Sequence, residues 1–235
     1  YWPTVQMVIW GFVTQFFIGH SSWLASAAGV LIGAVLLWDL LFRSQIGFSM
    51  CFLEEMWSRN LGHLFVSPLR PHEFIISMMV VSCLRGFFGL LPSWILAFVF
   101  FEFSILSYGL GIVAFFSCLM VMGWALGMIV IALVLRFGLG AESLAWVAIF
   151  AFAPISAVYY PVETLPAWLQ IVAWCTPSAY VFEGMRSVLI DDIFRYDLLV
   201  GAILANVVYL FAGIFVFSFS FLGARKQGKL LQTGE

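Results

Sequence analysis

The stretch EEMWSRNLGHLFVSPLRPHE, residues 54–73, is a charged and amphipathic island between two long apolar segments. Its apolar side chains follow the i, i+4, i+7 and i+8 spacing of one helical face: Trp57, Leu61, Leu64 and Phe65. This spacing predicts a short helix over 54–66. The run before Pro68 is too short to cross a bilayer, which takes about 20 apolar residues. We therefore expect a helix between two membrane spans that presents one apolar face to another protein.

The polar residues of this helix favour docking onto a protein over the alternative, a helix lying flat on the lipid surface. Helices of the second kind are usually rich in Lys and Arg on the polar face. Here the charged rim consists of Glu54, Glu55 and Arg59, and two of these three are acidic.

The composition assigns the chain to the integral membrane proteins. Hydrophobic residues make up 64% and charged residues 9% of the sequence, whereas a soluble domain carries about 25% charged residues. The formal net charge is −2, so no basic surface points to nucleic acid. The lipid bilayer is the expected environment.

Hydropathy predicts one all-α domain, 1–235, with six transmembrane helices. Strict two-residue alternation is absent, which argues against a β-barrel. The expected spans are 3–20, 25–50, 74–101, 104–135, 143–161 and 198–222.

Loop charges predict the orientation, because cytoplasmic loops carry an excess of Lys and Arg. One set of loops holds six such residues: Arg59, Arg70, Arg136, Arg225, Lys226 and Lys229. The opposite set holds Arg186 and Arg195. We expect the island and both termini in the cytoplasm, with the chain in the plasma (inner) membrane and 162–197 outside.

The outer segment 163–190 alternates short apolar pieces with prolines, and no piece is long enough to span. Its aromatic residues suit the membrane interface. We expect one or two short re-entrant helices that dip into the outer leaflet; a surface loop with interfacial aromatics is the alternative.

Three charges lie within the predicted spans. Asp39 and Arg43 are four residues apart, on one helical face; they form either an internal ion pair or a substrate contact or gate. Arg85 either pairs with an acid on a neighbouring helix or meets an anionic headgroup.

Gly123 and Gly127 form a GxxxG, which predicts close helix packing.

No pattern predicts catalysis or a metal site. The histidines are dispersed, and the four cysteines form no CxxC. Residues 223–229 fit G-x-x-x-x-G-K, but a membrane span precedes them and Leu230 follows, whereas a phosphate loop needs a preceding strand and Ser or Thr after the Lys. We expect a chain that is not an enzyme and carries no cofactor.

Two blocks resemble the ABC type-2 exporter permeases, the membrane subunits of one class of ATP-binding-cassette transporter. The first is the island, which ends in LFVSPLRPHEF. The second is PISAVYYPVETLPAWLQIVAWCTPSAYVFEGMRSVL, 154–189. Its matching positions are Pro161, Leu165, Pro166, Trp168, Pro177, Glu183 and Arg186. Where family members often carry a Gly-Thr pair, this chain has Arg59 and Asn60, which leaves the subgroup and the substrate open.

The resemblance implies a half-transporter that works as a symmetric dimer with a second copy of itself. Residues 54–66 would be the coupling helix, resting on a separate nucleotide-binding ATPase subunit that holds ATP and Mg. The substrate would be lipid-linked, glycan or hydrophobic, and would move outward.

Two rival functions remain. An ion-coupled secondary transporter or channel would use Asp39, Arg43 and Arg85 as a relay, but we find no inverted repeats that favour it. A membrane scaffold or enzyme subunit would have no transport function.

Overall fold

The computed structural model describes residues 22–66, 68, 70–101 and 110–226. Within these ranges all regular structure is helical, which agrees with the all-α prediction. The helices are α1 Ser22–Trp57, α2 Leu61–Val66, α3 Pro71–Phe101, α4 Leu110–Phe137, α5 Leu144–Ile155, α6 Ala167–Trp174, α7 Pro177–Asp191 and α8 Tyr196–Lys226, with 3-10 turns at Leu139–Ala141 and Val162–Thr164. The predicted first span, 3–20, lies outside the described residues.

Four described helices are long and apolar enough to cross a membrane: α1, α3, α4 and α8. The expected span 143–161 is wrong as drawn, because α5 has 12 residues and is about 18 Å long. That is well short of the ~30 Å hydrocarbon core. Pro154 lies in its last turn, and Ala157 then takes φ +50°. The expected count of six spans is therefore not confirmed.

Helices α1, α4 and α8 run in the same direction, and α4 packs against both of the others. Near one end, a single core cluster unites Phe52 of α1, Leu135 of α4 and Phe221 of α8. The same cluster includes Leu61 of α2 and Phe74, near the start of α3, so α3 runs antiparallel to the other three. The ends Trp57, Phe137 and Lys226 consequently lie at one end of the bundle, which we call the basic end for the arginines and lysine described below.

The predicted GxxxG mediates the contact between α1 and α4. A Cβ atom on Gly123 would lie 2.6 Å from the side chain of Ser44, and one on Gly127 would lie 2.8 Å from the ring of Phe48. The Ser44 hydroxyl donates to the Met120 carbonyl at 2.7 Å. The two helices can approach this closely because glycine has no side chain.

We expect Gly123→Ala to lower the free energy of unfolding by about 1–3 kcal/mol, the usual cost of overpacking a closely packed site. Gly86→Ala is the matched control, because it lies in α3 and a Cβ there meets nothing within 4 Å. Both changes raise helix propensity equally, so the difference measures the clash. Thermal unfolding in detergent reports it, and equal melting temperatures would contradict the prediction.

The predicted coupling helix over 54–66 is not one helix, because α1 ends at Trp57 and α2 begins at Leu61. The N–H of Arg59 donates to the carbonyl of Met56 at 3.1 Å, and the N–H of Asn60 donates to that of Glu55 at 3.0 Å. These are the two bonds of a Schellman cap, whose left-handed residue is usually glycine. Arg59 occupies that position with φ +58°. The apolar periodicity thus continues through a turn that reverses the chain.

Arg59→Gly should raise the stability of the protein by about 0.5–1 kcal/mol, since a left-handed conformation costs a non-glycine residue roughly 1–2 kcal/mol and added chain entropy in the unfolded state offsets part of the gain. Ser58→Gly, one residue earlier and without a positive φ, should give no gain. The two variants are compared by thermal unfolding. A loss of stability in Arg59→Gly would show that the arginine side chain matters more than the backbone strain.

The expected re-entrant segment, 163–190, consists of the Val162–Thr164 turn, α6 and most of α7. Helix α7 has 15 residues and is about 22 Å long, too short to span. Thr176 caps its N-terminus by accepting from the N–H of Ala179, and Pro177 takes the first helical position, where its missing N–H costs nothing. Helix α7 packs against α1, α4 and α8 and therefore lies within the bundle rather than over its surface.

Candidate functional site

Most of the positive residues that we expect in the cytoplasm lie at the basic end. Arg59, Arg136, Arg225 and Lys226 all lie at or just beyond the ends of α1, α4 and α8, and all four are exposed. Arg70 precedes α3 at the same end, where its N–H donates to the Glu73 carboxylate at 2.8 Å and caps that helix. Lys229 lies outside the described residues.

The predicted docking residues do not form one helical face. Trp57 is 45% exposed on the last turn of α1, whereas Leu61 is 2% exposed and packs in the core beside Phe52. Glu55 accepts from the side-chain nitrogen of Asn60 at 2.6 Å and is half-buried. The side chains of Leu64 and Phe65 lie outside the described part of α2. Trp57, Glu54 and Arg59 are thus the predicted contacts that the structure leaves exposed.

Glu54 joins the end of α1 to α3 through Arg85. The two guanidinium nitrogens of Arg85 donate to the two carboxylate oxygens of Glu54 at 2.8 and 2.7 Å. This two-bond geometry orients both side chains, which a single ion pair does not. Displacement of the Trp57 turn would therefore act on α3 as well as on α1.

Asp39 and Arg43 contact each other within α1, as their spacing predicts. The Arg43 Nε donates to Asp39 Oδ2 at 2.9 Å, and Asp39 is buried. The guanidinium lies in the notch that Gly89 of α3 leaves open, where a Cβ atom would lie 2.3 Å from it. Arg43 is about 16 Å and Asp39 about 22 Å along α1 from Glu54, at 1.5 Å per residue. The three charges proposed for an ion relay therefore lie in two separate pairs.

Arg186 and Glu183 hold the chain where it leaves α5, an arrangement we call the Arg186 staple. The Arg186 guanidinium donates to the carbonyls of Ala157 at 2.7 Å and Val158 at 3.3 Å. It also donates to Glu183, whose carboxylate accepts from the N–H of Val162 at 2.6 Å. Arg186 is 7% exposed. One ion pair thus satisfies three backbone groups around the left-handed residue Ala157.

The other residues of the second motif shape the same segment. Pro161 and Pro166 precede the Val162–Thr164 turn and α6, and Pro177 begins α7. Leu165 packs with the small cluster around Ala173 and Ala179. Trp168 is 68% exposed. These residues start and stop short helices, so the motif is in large part a set of helix boundaries.

Two features of the site were not predictable from residue patterns. The Schellman cap has Arg59 where such caps usually have glycine, so its usual signal is missing. Glu54 and Arg85 are 31 residues apart in the sequence, and nothing local connects them. The sequence analysis did identify an acid on a neighbouring helix as one possible partner of Arg85.

A profile of the ABC-2 type transporter family matches residues 1–190. This region contains the island, the Asp39–Arg43 and Glu54–Arg85 pairs and the Arg186 staple. Among curated proteins, none matches this chain.

Proposed function

Since this chain belongs to the ABC-2 type transporter family, a family of multi-pass transmembrane permeases, we propose that it is the membrane subunit of an exporter. It moves a lipid-linked, glycan or hydrophobic substrate out of the cytoplasm or inner leaflet. The family implies an ATP-binding partner subunit. In the proposal that subunit is a separate chain that holds ATP and Mg, and this permease works as a homodimer with a second copy of itself.

The observation that carries the proposal is the capped turn at the end of α1. Trp57 is exposed there beside Glu54 and Arg59. Large aromatic side chains with a charged surround are typical of the residues that dominate protein interfaces. The turn lies at the basic end, and the excess of positive charge there supports a cytoplasmic location with both termini inside.

The contacts around this turn provide a route for force. The Schellman cap fixes the turn to α1, and the Glu54–Arg85 pair fixes it to α3. In the proposal, closure of the ATPase subunits pushes on Trp57 and tilts α1 and α3 together. Helix α1 also packs against α7, so the tilt reaches the re-entrant segment that borders the outer exit.

The distribution of charges disfavours the secondary transporter as a second candidate. A relay needs titratable groups within reach of one another. Here Asp39 contacts Arg43 and Arg85 contacts Glu54. Arginine is not deprotonated in proteins, so Asp39 is the one titratable member of the three proposed relay residues.

The test reconstitutes the permease in lipid nanodiscs with the ATP-binding subunit that co-purifies with it. We expect ATP hydrolysis by the complex to rise when its substrate is added, and a panel of lipids and glycans then identifies the substrate class. ATP-dependent accumulation of that compound inside inverted vesicles establishes the outward direction. The exporter proposal fails if no ATP-hydrolysing subunit co-purifies, or if accumulation proceeds without ATP under an ion gradient.

A further inference from the structure

A groove of about 430 Å³ lies between α4 and α8. It extends from Ala114 to Val121 on α4 and from Leu199 to Leu210 on α8. Its walls are almost wholly apolar, and its neighbours on α8, such as Leu204 and Val208, are exposed and apolar. The groove therefore opens toward the side of the bundle that faces hydrocarbon in a membrane.

Two polar side chains interrupt this lining, Ser117 and Asn206. Ser117 donates its hydroxyl to the Val113 carbonyl of its own helix; Asn206 is the buried one. It is 5% exposed. The thiol of Cys118, a weak hydrogen-bonding group, interacts with its amide, but no described residue reaches its amide nitrogen or carbonyl oxygen with ordinary hydrogen-bond geometry. Burying an amide without a partner costs about 1–3 kcal/mol in proteins. Water is absent from the bilayer core, so solvent does not relieve that cost. A buried polar group of this kind calls for an occupant that completes its bonding.

The depth of the groove corresponds to one leaflet. The midpoint of α8, Tyr196–Lys226, falls at Phe211, and Leu199 to Leu210 lie between that midpoint and the end opposite the basic end. Their length is about 16 Å, close to half of the ~30 Å hydrocarbon core. Asn206 lies about 7 Å from the midpoint, within the acyl region of that leaflet.

The volume favours a lipid over a helix. A helix about 11 Å wide and 16 Å long occupies roughly 1,500 Å³, so it would cover the open side of the groove without reaching the buried Asn206. Sites for small molecules are typically about 300–1,000 Å³. The occupant must be hydrocarbon over most of its surface and must offer one group that both donates to the amide oxygen and accepts from the amide nitrogen, which a hydroxyl does.

We propose that the α4–α8 groove binds a hydroxyl-bearing membrane lipid, whose hydrocarbon body lies between the helices and whose hydroxyl hydrogen-bonds to Asn206. The site is separate from the Trp57 turn and does not depend on the transported substrate. It places a lipid against the α4–α8 pair, the most extensive helix–helix contact among the described residues.

Equilibrium binding of tritiated 1-octadecanol to the delipidated full-length protein in detergent tests the proposal, with octadecane as the competitor that lacks the hydroxyl. We expect about one octadecanol per chain, and at least tenfold weaker binding of octadecane. Asn206→Leu keeps the number of side-chain heavy atoms and removes the amide, so it should abolish this preference and raise the melting temperature of the empty protein. Ala114→Phe fills the groove without changing Asn206 and should abolish binding of both probes. Leu204→Phe, on the same helix outside the lining, should change neither.

Several results would overturn the proposal. Equal affinity for the two probes, or an unchanged preference in Asn206→Leu, would exclude recognition of the hydroxyl. Failure of the wild-type protein to bind either probe would exclude a lipid site in this groove and leave a second copy as the candidate occupant. Dissociation of a dimer in Asn206→Leu, seen by size-exclusion chromatography with light scattering, would identify the second copy.

Discussion

Arg186→Ala is expected to lower the free energy of unfolding by about 3–5 kcal/mol, the cost of removing one partner from a buried ion pair. The guanidinium is 7% exposed and donates to the Ala157 and Val158 carbonyls as well as to Glu183. Its removal leaves two carbonyls and a carboxylate without these donors at the point where the chain leaves α5. Reversible unfolding in mixed micelles measures the loss.

Two controls separate the staple from a general effect of charge. Arg186→Lys keeps the charge but lacks the planar fork that reaches two carbonyls and a carboxylate together, so it should recover part of the stability. Arg195→Ala removes an exposed arginine that pairs with Asp197 at the surface and should have little effect, as is usual for exposed ion pairs. Equal losses in Arg186→Ala and Arg195→Ala would contradict the structural role of the staple.

Trp57→Ala is expected to weaken binding of the ATP-binding subunit by about 30-fold, which corresponds to the 2 kcal/mol that an interface anchor contributes. The side chain is 45% exposed at the capped end of α1 and is the largest apolar group among the exposed docking residues. Because the Schellman cap uses backbone groups, truncation of Trp57 should leave the turn intact. Titration of the subunit against the permease in nanodiscs measures the affinity, and substrate-stimulated ATP hydrolysis measures the coupling.

Trp168→Ala is the matched control for Trp57→Ala. Trp168 is also exposed, at 68%, but it lies on α6, beyond the far end of α5. Loss of binding in both variants would indicate a general effect of removing interfacial tryptophans. An unchanged affinity in Trp57→Ala would refute docking at this turn, even if the chain proves to be an exporter.

The structure and the helical periodicity predict different effects for Leu61→Ala. Its side chain is 2% exposed and packs with Phe52 and Phe74, so its truncation should destabilise the bundle rather than weaken docking. Helical periodicity grouped Leu61 with Trp57 because the two residues are four positions apart in the sequence. A Schellman cap between the two positions turns the chain, so helical spacing no longer places them on one face.

Composition and local pattern were sufficient for the class of protein, for the bounds of α1, α3, α4 and α8 to within about seven residues, and for the close packing at Gly123. They also located both motif blocks, and Pro161, Pro166 and Pro177 of the second block stand at the starts of a turn and of two short helices. These properties depend on a residue and its near neighbours in the sequence. The transfer of about 20 apolar residues into a bilayer is a local requirement of this kind.

The tertiary structure decided which side chains meet. It joined Arg85 to Glu54, turned Leu61 into the core and placed the Arg186 guanidinium on the carbonyls of Ala157 and Val158. It also left Asn206 in an apolar groove beside the weakly bonding thiol of Cys118. Each of these outcomes depends on helices that are distant in sequence and adjacent in space. A charge or amide inside a membrane protein must find a partner there, and the packing of those helices determines which one it reaches.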